Sequence, residues 1–179
     1  MTRLARLVLA GLAIAAPLGA QSGFPAAWAG RWRGTLTTVS PPDSVRQVIP
    51  LTLEIAPIAG TRAFTWRTIF NADTVRGLRD YKLLLVDPAR GVYATDEGNG
   101  VLLEESYVGG LLVSVFQVGP RVLESRMELR GDTLVHDITW WSATPARRVT
   151  GQGANAEGGT EITSHRVEGR QRAVLTRAP

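Results

Sequence analysis

The sequence predicts an all-β fold, an antiparallel up-and-down β-barrel of about eight to ten strands. Three observations carry this expectation. Apolar and polar residues alternate with a period of two over about ten short runs, and turns rich in Gly, Pro, Asn and Asp separate those runs. No stretch after the N-terminal leader sustains a helical period long enough to build an α/β fold.

The chain opens on the cationic Met1-Thr2-Arg3-Leu4-Ala5-Arg6, followed by an apolar run over residues 7–16 that is too short to span a bilayer. Residues 1–20 therefore read as a secretory signal peptide. Leu18-Gly19-Ala20 supplies the small residue expected before a cut, which places the mature start near Gln21. The expected location is the periplasm or beyond, with no transmembrane span left after cleavage. Residues 21–179 have the length of a single domain able to bury its own core. The sequence contains no Cys, which excludes lipoprotein anchoring, disulfides, thiolate metal sites and Cys nucleophiles. With Arg3 and Arg6 gone, 18 basic residues face 16 acidic ones. The basic residues are Arg except for Lys82, and they are spread along the strands rather than clustered, so no nucleic-acid partner is expected.

Taken in order, residues 24–28 predict one helical turn with Pro25 in its first position, a lid for one end of the barrel. Trp28-Ala29-Gly30-Arg31-Trp32-Arg33-Gly34 then leads into a first strand over residues 35–39. In the second strand Ile49, Leu51, Leu53 and Ile55 share a face, and in the third Phe64, Trp66, Thr68 and Phe70 do. Pro50 lacks a ladder donor, which predicts an edge or a bulge. A polar connection over residues 71–79 precedes a strand with Tyr81, Leu83 and Leu85 on one face, and Asp87 to Gly91 turns the chain. Asn99-Gly100 predicts a hairpin between residues 92–95 and 101–103. Further hairpins turning at Gly109-Gly110, Gly119-Pro120 and Gly131-Asp132 make a meander, in which Leu123, Met127 and Leu129 point in and Glu124, Arg126, Glu128 and Arg130 point out. Residues 143–160 read as a connection with a short strand around Val149, and the last strands are expected over residues 161–168 and 170–176.

The Trp32 indole offers a large apolar plug and one N–H that needs a partner when buried, and Gly30 beside it permits close approach of a backbone or a cation. The Gly-x-Trp at Gly30-Arg31-Trp32 resembles the opening of the lipocalin-like (calycin) families. That resemblance implies a lipocalin-like barrel, closed by pairing its first strand with its last and sealed at one end by the Trp. It also implies an Arg of the last strand over the indole. Arg170 and Arg172 are both available, and Arg172 is preferred.

For chemistry, alternation places His136 on the face of Leu134, Ile138 and Trp140, pointing into the barrel, where a core role and a ligand-contacting role both stay open. The pattern Gly30, Trp32 and Gly34 also resembles nitrobindin-like haem barrels, which implies a haem-binding His in the C-terminal portion, where His165 corresponds. No cofactor is otherwise expected. The turn at Asp96-Glu97-Gly98-Asn99-Gly100 lacks the spacing of a calcium loop, and no metal site is expected. Asp96-Glu97 and Glu104-Glu105 read as solvated charges, because neighbouring strand residues point to opposite faces and cannot flank one bond. With two His, no nucleophile elbow, no phosphate-binding loop and no His-Glu-x-x-His, an enzyme is not expected.

The expected function is that of a container for a small apolar or amphipathic molecule. Phe64, Trp66, Phe70, Tyr81, Phe116, Met127 and Trp140 would form its wall, and His136 would orient a polar group. The alternative is a barrel filled by its own side chains that serves as a structural or protein-interaction module of the cell envelope. Oligomeric state is left open by the sequence.

Overall fold

The computed structural model describes residues 23–151 and 159–179, so the expected signal peptide and its cleavage site lie outside the described residues. Ten strands close into one antiparallel barrel. In chain order they begin with β1 (Gly30–Ser40), β2 (Ser44–Pro57), β3 (Ala63–Phe70), β4 (Leu78–Asp87), β5 (Val92–Asp96) and β6 (Leu102–Val108). The series continues with β7 (Leu111–Val118), β8 (Arg121–Arg130) and β9 (Thr133–Ser142), then leaves the barrel for β10 (Arg147–Thr150) and β11 (Glu161–Ser164), and returns with β12 (Val167–Ala178). Each barrel strand pairs with its sequence neighbour, and β1 pairs with β12 to close the ring. Closure leaves no unpaired edge running the length of the sheet. No helix among the described residues is long and apolar enough to cross a membrane.

The expected hairpins lie where the turn residues put them, and the differences have local causes. β10 and β11 pair only with each other, so the expected strand around Val149 is a two-stranded hairpin outside the barrel. The final strand runs unbroken through Gly169, which marks a bulge opposite Trp140 and Trp141 rather than a break between two strands. The indole of Trp140 occupies the space a side chain at that position would need. Pro50 stays inside β2: its neighbour β1 continues opposite it, while β3 has already ended at Phe70 opposite Leu51, so Pro50 sits beside a local edge.

On the outer face, Arg31, Glu54, Arg67 and Asp80 stand in register across β1 to β4 and form a chain of ion pairs at 3.1–3.2 Å. Exposed pairs of this kind add little stability one by one, but opposite charges directly across favour this strand register.

The buried residues concentrate toward the end where β1 begins. Trp28, Trp32, Leu53, Ile55, Leu83, Leu134, Ala173 and Leu175 are all at most 3% exposed and form a continuous cluster there. A 3-10 turn over Ala26–Trp28 lids this end, and Pro25 sits just before the turn rather than at its first position. Phe24 stacks on Tyr107 with ring centres 4.2 Å apart and meets Trp28 and Tyr93 edge-on, which fills the base of the barrel with aromatic rings.

The indole N–H of Trp32 donates to the Trp28 carbonyl at 2.9 Å, so the plug's one polar atom is satisfied by the lid. The cation over it is Arg177, with its guanidinium carbon 4.3 Å from the ring centre, and not the expected Arg172. Strand parity and register explain the correction. Ala173 and Leu175 are buried and Gln171 faces the interior, so Arg170 and Arg172 project outward, where both reach Asp137. Arg177 has the inward parity and pairs directly across from Trp32. Its guanidinium also donates to the Ala27 and Ala29 carbonyls and lies against Gly30, where a Cβ would collide with it. Arg177→Leu is expected to lower the unfolding free energy by about 1–2 kcal/mol, against at most about 0.5 kcal/mol for Arg172→Leu. Urea unfolding of the two variants checks the difference, and equal losses would contradict the assignment.

Candidate functional site

Large side chains fill the Trp32 half of the barrel, and the other half encloses a cavity of about 360 Å3. Its floor is built by Leu36, Leu51, Trp66, Leu112 and Met127, residues that meet the closed-end core from above. Phe70, Tyr81, Leu103, Phe116 and Ile138 form the apolar part of the wall. Each projects inward because alternation on its strand turns every second residue to the lumen. The cavity is therefore a consequence of where along each strand the bulky residues fall.

Of the residues expected to contact a ligand, Trp66, Phe70, Tyr81, Phe116, Met127 and His136 line this cavity, whereas Phe64 and Trp140 do not. Phe64 lies at the start of β3, two residues toward the closed end from Trp66, and packs on the aromatic core there. Trp140 lies near the far end of β9 and spends its ring on Gly169. Parity was not at fault for either residue; depth along the barrel axis removed them.

His136 is inside, and its Nε2 is 2.9 Å from the Ser125 hydroxyl of the adjacent strand. Burial without an adequate counter-charge lowers its pKa from 6.5 to about 4, and nearby Asp137 opposes that fall only in part. The imidazole is thus neutral at physiological pH. A serine and a histidine meet here, and among the described residues no carboxylate hydrogen-bonds to the ring. Asp137 follows His136 in sequence, points to the outer face and pairs with Arg170 and Arg172. The neutral ring can donate or accept a hydrogen bond at the cavity wall. His165 is exposed outside the barrel, where its Nδ1–H donates to the Ser142 carbonyl at 2.9 Å. The position implied by the haem-barrel resemblance therefore brings no imidazole to the cavity.

The acidic residues need the largest correction. Glu104 is exposed, as expected of a solvated charge, but Glu105 shares the inward face of β6 with Leu103 and Tyr107. Its Oε1 accepts a hydrogen bond from the Thr95 hydroxyl at 2.9 Å. Burial pushes its pKa from 4.5 up to about 7, with the Thr95 bond acting weakly in the other direction. Glu97 also reaches the cavity, at the mouth beside Tyr81, and burial together with that carboxyl raises the Tyr81 pKa. Arg79 lies at the rim, its guanidinium carbon 5.9 Å from the Phe70 ring centre and its Nη1 donating to the Arg76 and Leu78 carbonyls. Alternation from Leu103 would have found Glu105: the two neighbours point to opposite faces, as expected, but one of those faces is the lumen, so the expectation of two solvated charges holds only for Glu104. Among the described residues, no group of three His, Cys, Asp or Glu side chains is placed to hold a metal ion.

No protein-family model and no curated protein sequence matches the chain. Among solved structures, the crystal structure of a mutant of the fluorescent protein UnaG is similar, with 15% sequence identity and a TM-score of 0.45, covering 85% of this chain and 96% of that one.

Proposed function

We propose that this chain is a non-enzymatic container that holds one small apolar or amphipathic molecule in the half of the barrel opposite Trp32, and that residues 1–20 direct its export to the periplasm or beyond. The observation that carries the reading is the cavity: about 360 Å3 of space open at one end, with an apolar wall and a few convergent polar groups, namely Glu105, Thr95, Ser125, His136 and Gln171. Ligand sites of roughly 300–1,000 Å3 have this composition, in which apolar walls supply affinity and sparse polar atoms set orientation. Many of the large inward residues that would support a filled barrel, Trp28, Trp32 and Phe24 among them, are gathered at the closed end.

Uptake of N-phenyl-1-naphthylamine, followed by its fluorescence, tests the container. Ile138 lies on the cavity wall and away from the closed-end core, so Ile138→Trp places an indole in the space a ligand would take. The variant is expected to bind the probe at least about tenfold more weakly, equivalent to about 1.4 kcal/mol, with little change in melting temperature. Equal uptake by both proteins, or a wild type that takes up neither this probe nor any co-purifying molecule visible by native mass spectrometry, would count against the reading.

A further inference from the structure

Building on the container reading, we propose that its ligand is an amphipathic cation, a protonated amine whose N–H donors are held by the Glu105 carboxylate while its apolar body lies against the aromatic wall.

The geometry around Glu105 leaves a vacant acceptor. Thr95 binds Oε1, Oε2 receives no hydrogen bond from a described residue, and no Lys or Arg among the described residues forms an ion pair with this carboxyl. The unpartnered Oε2 is not sealed away from the lumen, because it keeps some exposed surface and Glu105 stands on the cavity wall. A buried carboxyl without a cation is costly, which favours a ligand that supplies one. Besides Glu105, the titratable or charged groups on the cavity wall are Arg79, Tyr81, Glu97 and His136. Arg79 is occupied at the rim with two carbonyls and Phe70, and His136 is held neutral. The neighbouring Tyr93, directly across from Glu105 on β5, has its pKa raised further by burial. Among the described residues the lumen therefore offers two carboxyls, one of them at the mouth, and one cation, Arg79, engaged with backbone carbonyls at the rim. The rings of Trp66, Phe70, Tyr81 and Phe116 also line the lumen, and an aromatic face attracts an organic cation while adding nothing comparable for an anion.

Binding would be linked to proton release. The ammonium enters with its proton, the protonated Glu105 gives one proton to solvent, and the charged pair forms inside the barrel. Because the free carboxyl titrates at about 7, the amine's affinity is expected to fall about tenfold per pH unit below that value. A carboxylate ligand would behave in the opposite sense, and a neutral ligand would show little dependence.

Three probes of one shape, 1-naphthylmethylamine, 1-naphthylmethanol and 1-naphthoate, separate these cases when titrated into the mature protein at pH 8 and pH 5.5. The expected order at pH 8 is amine over alcohol by at least about tenfold, with naphthoate weakest, and the amine's advantage should vanish at pH 5.5. Glu105→Gln should bring the amine to the alcohol's level at pH 8, with circular dichroism confirming that the variant is folded. The wild-type pH profile gives the same answer without a substitution. The inference is overturned if amine and alcohol bind alike in the wild type at both pH values, if naphthoate binds tightest at pH 8, or if the preference for the amine survives in Glu105→Gln. Binding of N-phenyl-1-naphthylamine without binding of the amine would overturn this inference and leave the container standing, whereas failure of every probe would remove both.

Discussion

Trp32→Ala is expected to lower the unfolding free energy by about 3–5 kcal/mol, a large part of the total stability of an ordinary domain. The indole is fully buried at the centre of the closed-end cluster, so truncation leaves a cavity walled by side chains that the closed ring holds in place. Two further losses accompany the cavity. The Trp28 carbonyl loses its indole donor, and Arg177 is left beside a void rather than a ring. Trp32→Phe keeps a ring under Arg177 but removes the donor, and its expected cost is about 1–2 kcal/mol. Urea unfolding at neutral pH measures both. A loss under about 1 kcal/mol for Trp32→Ala would show that the plug does not hold the barrel end together.

The second large effect is on the pH dependence of stability. Glu105 holds its proton more tightly in the folded state, at about 7, than an ordinary carboxyl does at 4.5. Its contribution is therefore fully present below pH 4.5 and is lost as pH rises through 7, a change of about 3 kcal/mol. His136 works from the other side. Its folded value of about 4 lies below 6.5, so its contribution is present above pH 6.5 and is lost as pH falls through 4. Between pH 4.5 and 6.5 the two slopes oppose each other and the wild type should be nearly flat. Glu105→Gln removes one slope. Relative to wild type, it is expected to be more stable at pH 8 than at pH 5 by about 2–3 kcal/mol, and its own stability should fall on acidification. Denaturant midpoints at the two pH values test this. A difference between variant and wild type that is the same at pH 5 and pH 8 would mean that Glu105 titrates as an ordinary exposed carboxyl.

Much of the architecture was legible in the sequence because strand alternation and turn chemistry act over two to five residues. The inward parity of Leu51, Leu53, Ile55, Trp66, Tyr81, Leu83, Met127 and His136 could be read directly, as could the turns at Asn99-Gly100, Gly109-Gly110 and Gly131-Asp132. The need of Trp32 for a hydrogen-bond partner was equally plain, and the lid residue Trp28 meets it. Glu105 belonged to the same legible set, and applying alternation to β6 would have placed it inside.

Three outcomes depended on the closed barrel. Whether Arg172 or Arg177 covers Trp32 depends on the register in which β12 meets β1, a pairing between residues at opposite ends of the chain. Whether an inward aromatic becomes core, cavity wall or rim depends on its height along the barrel axis, which separates Phe64 and Trp140 from Trp66 and Phe116 although all four have inward parity. The shifted pKa values of Glu105 and His136 depend on what the whole ring of strands places around them. The sequence by itself determined the strands, their turns and the face each residue takes, because these follow from backbone period and local sterics. Only the tertiary structure decided register, depth and electrostatic surroundings, because the stagger of a closed barrel is set by all ten strands together.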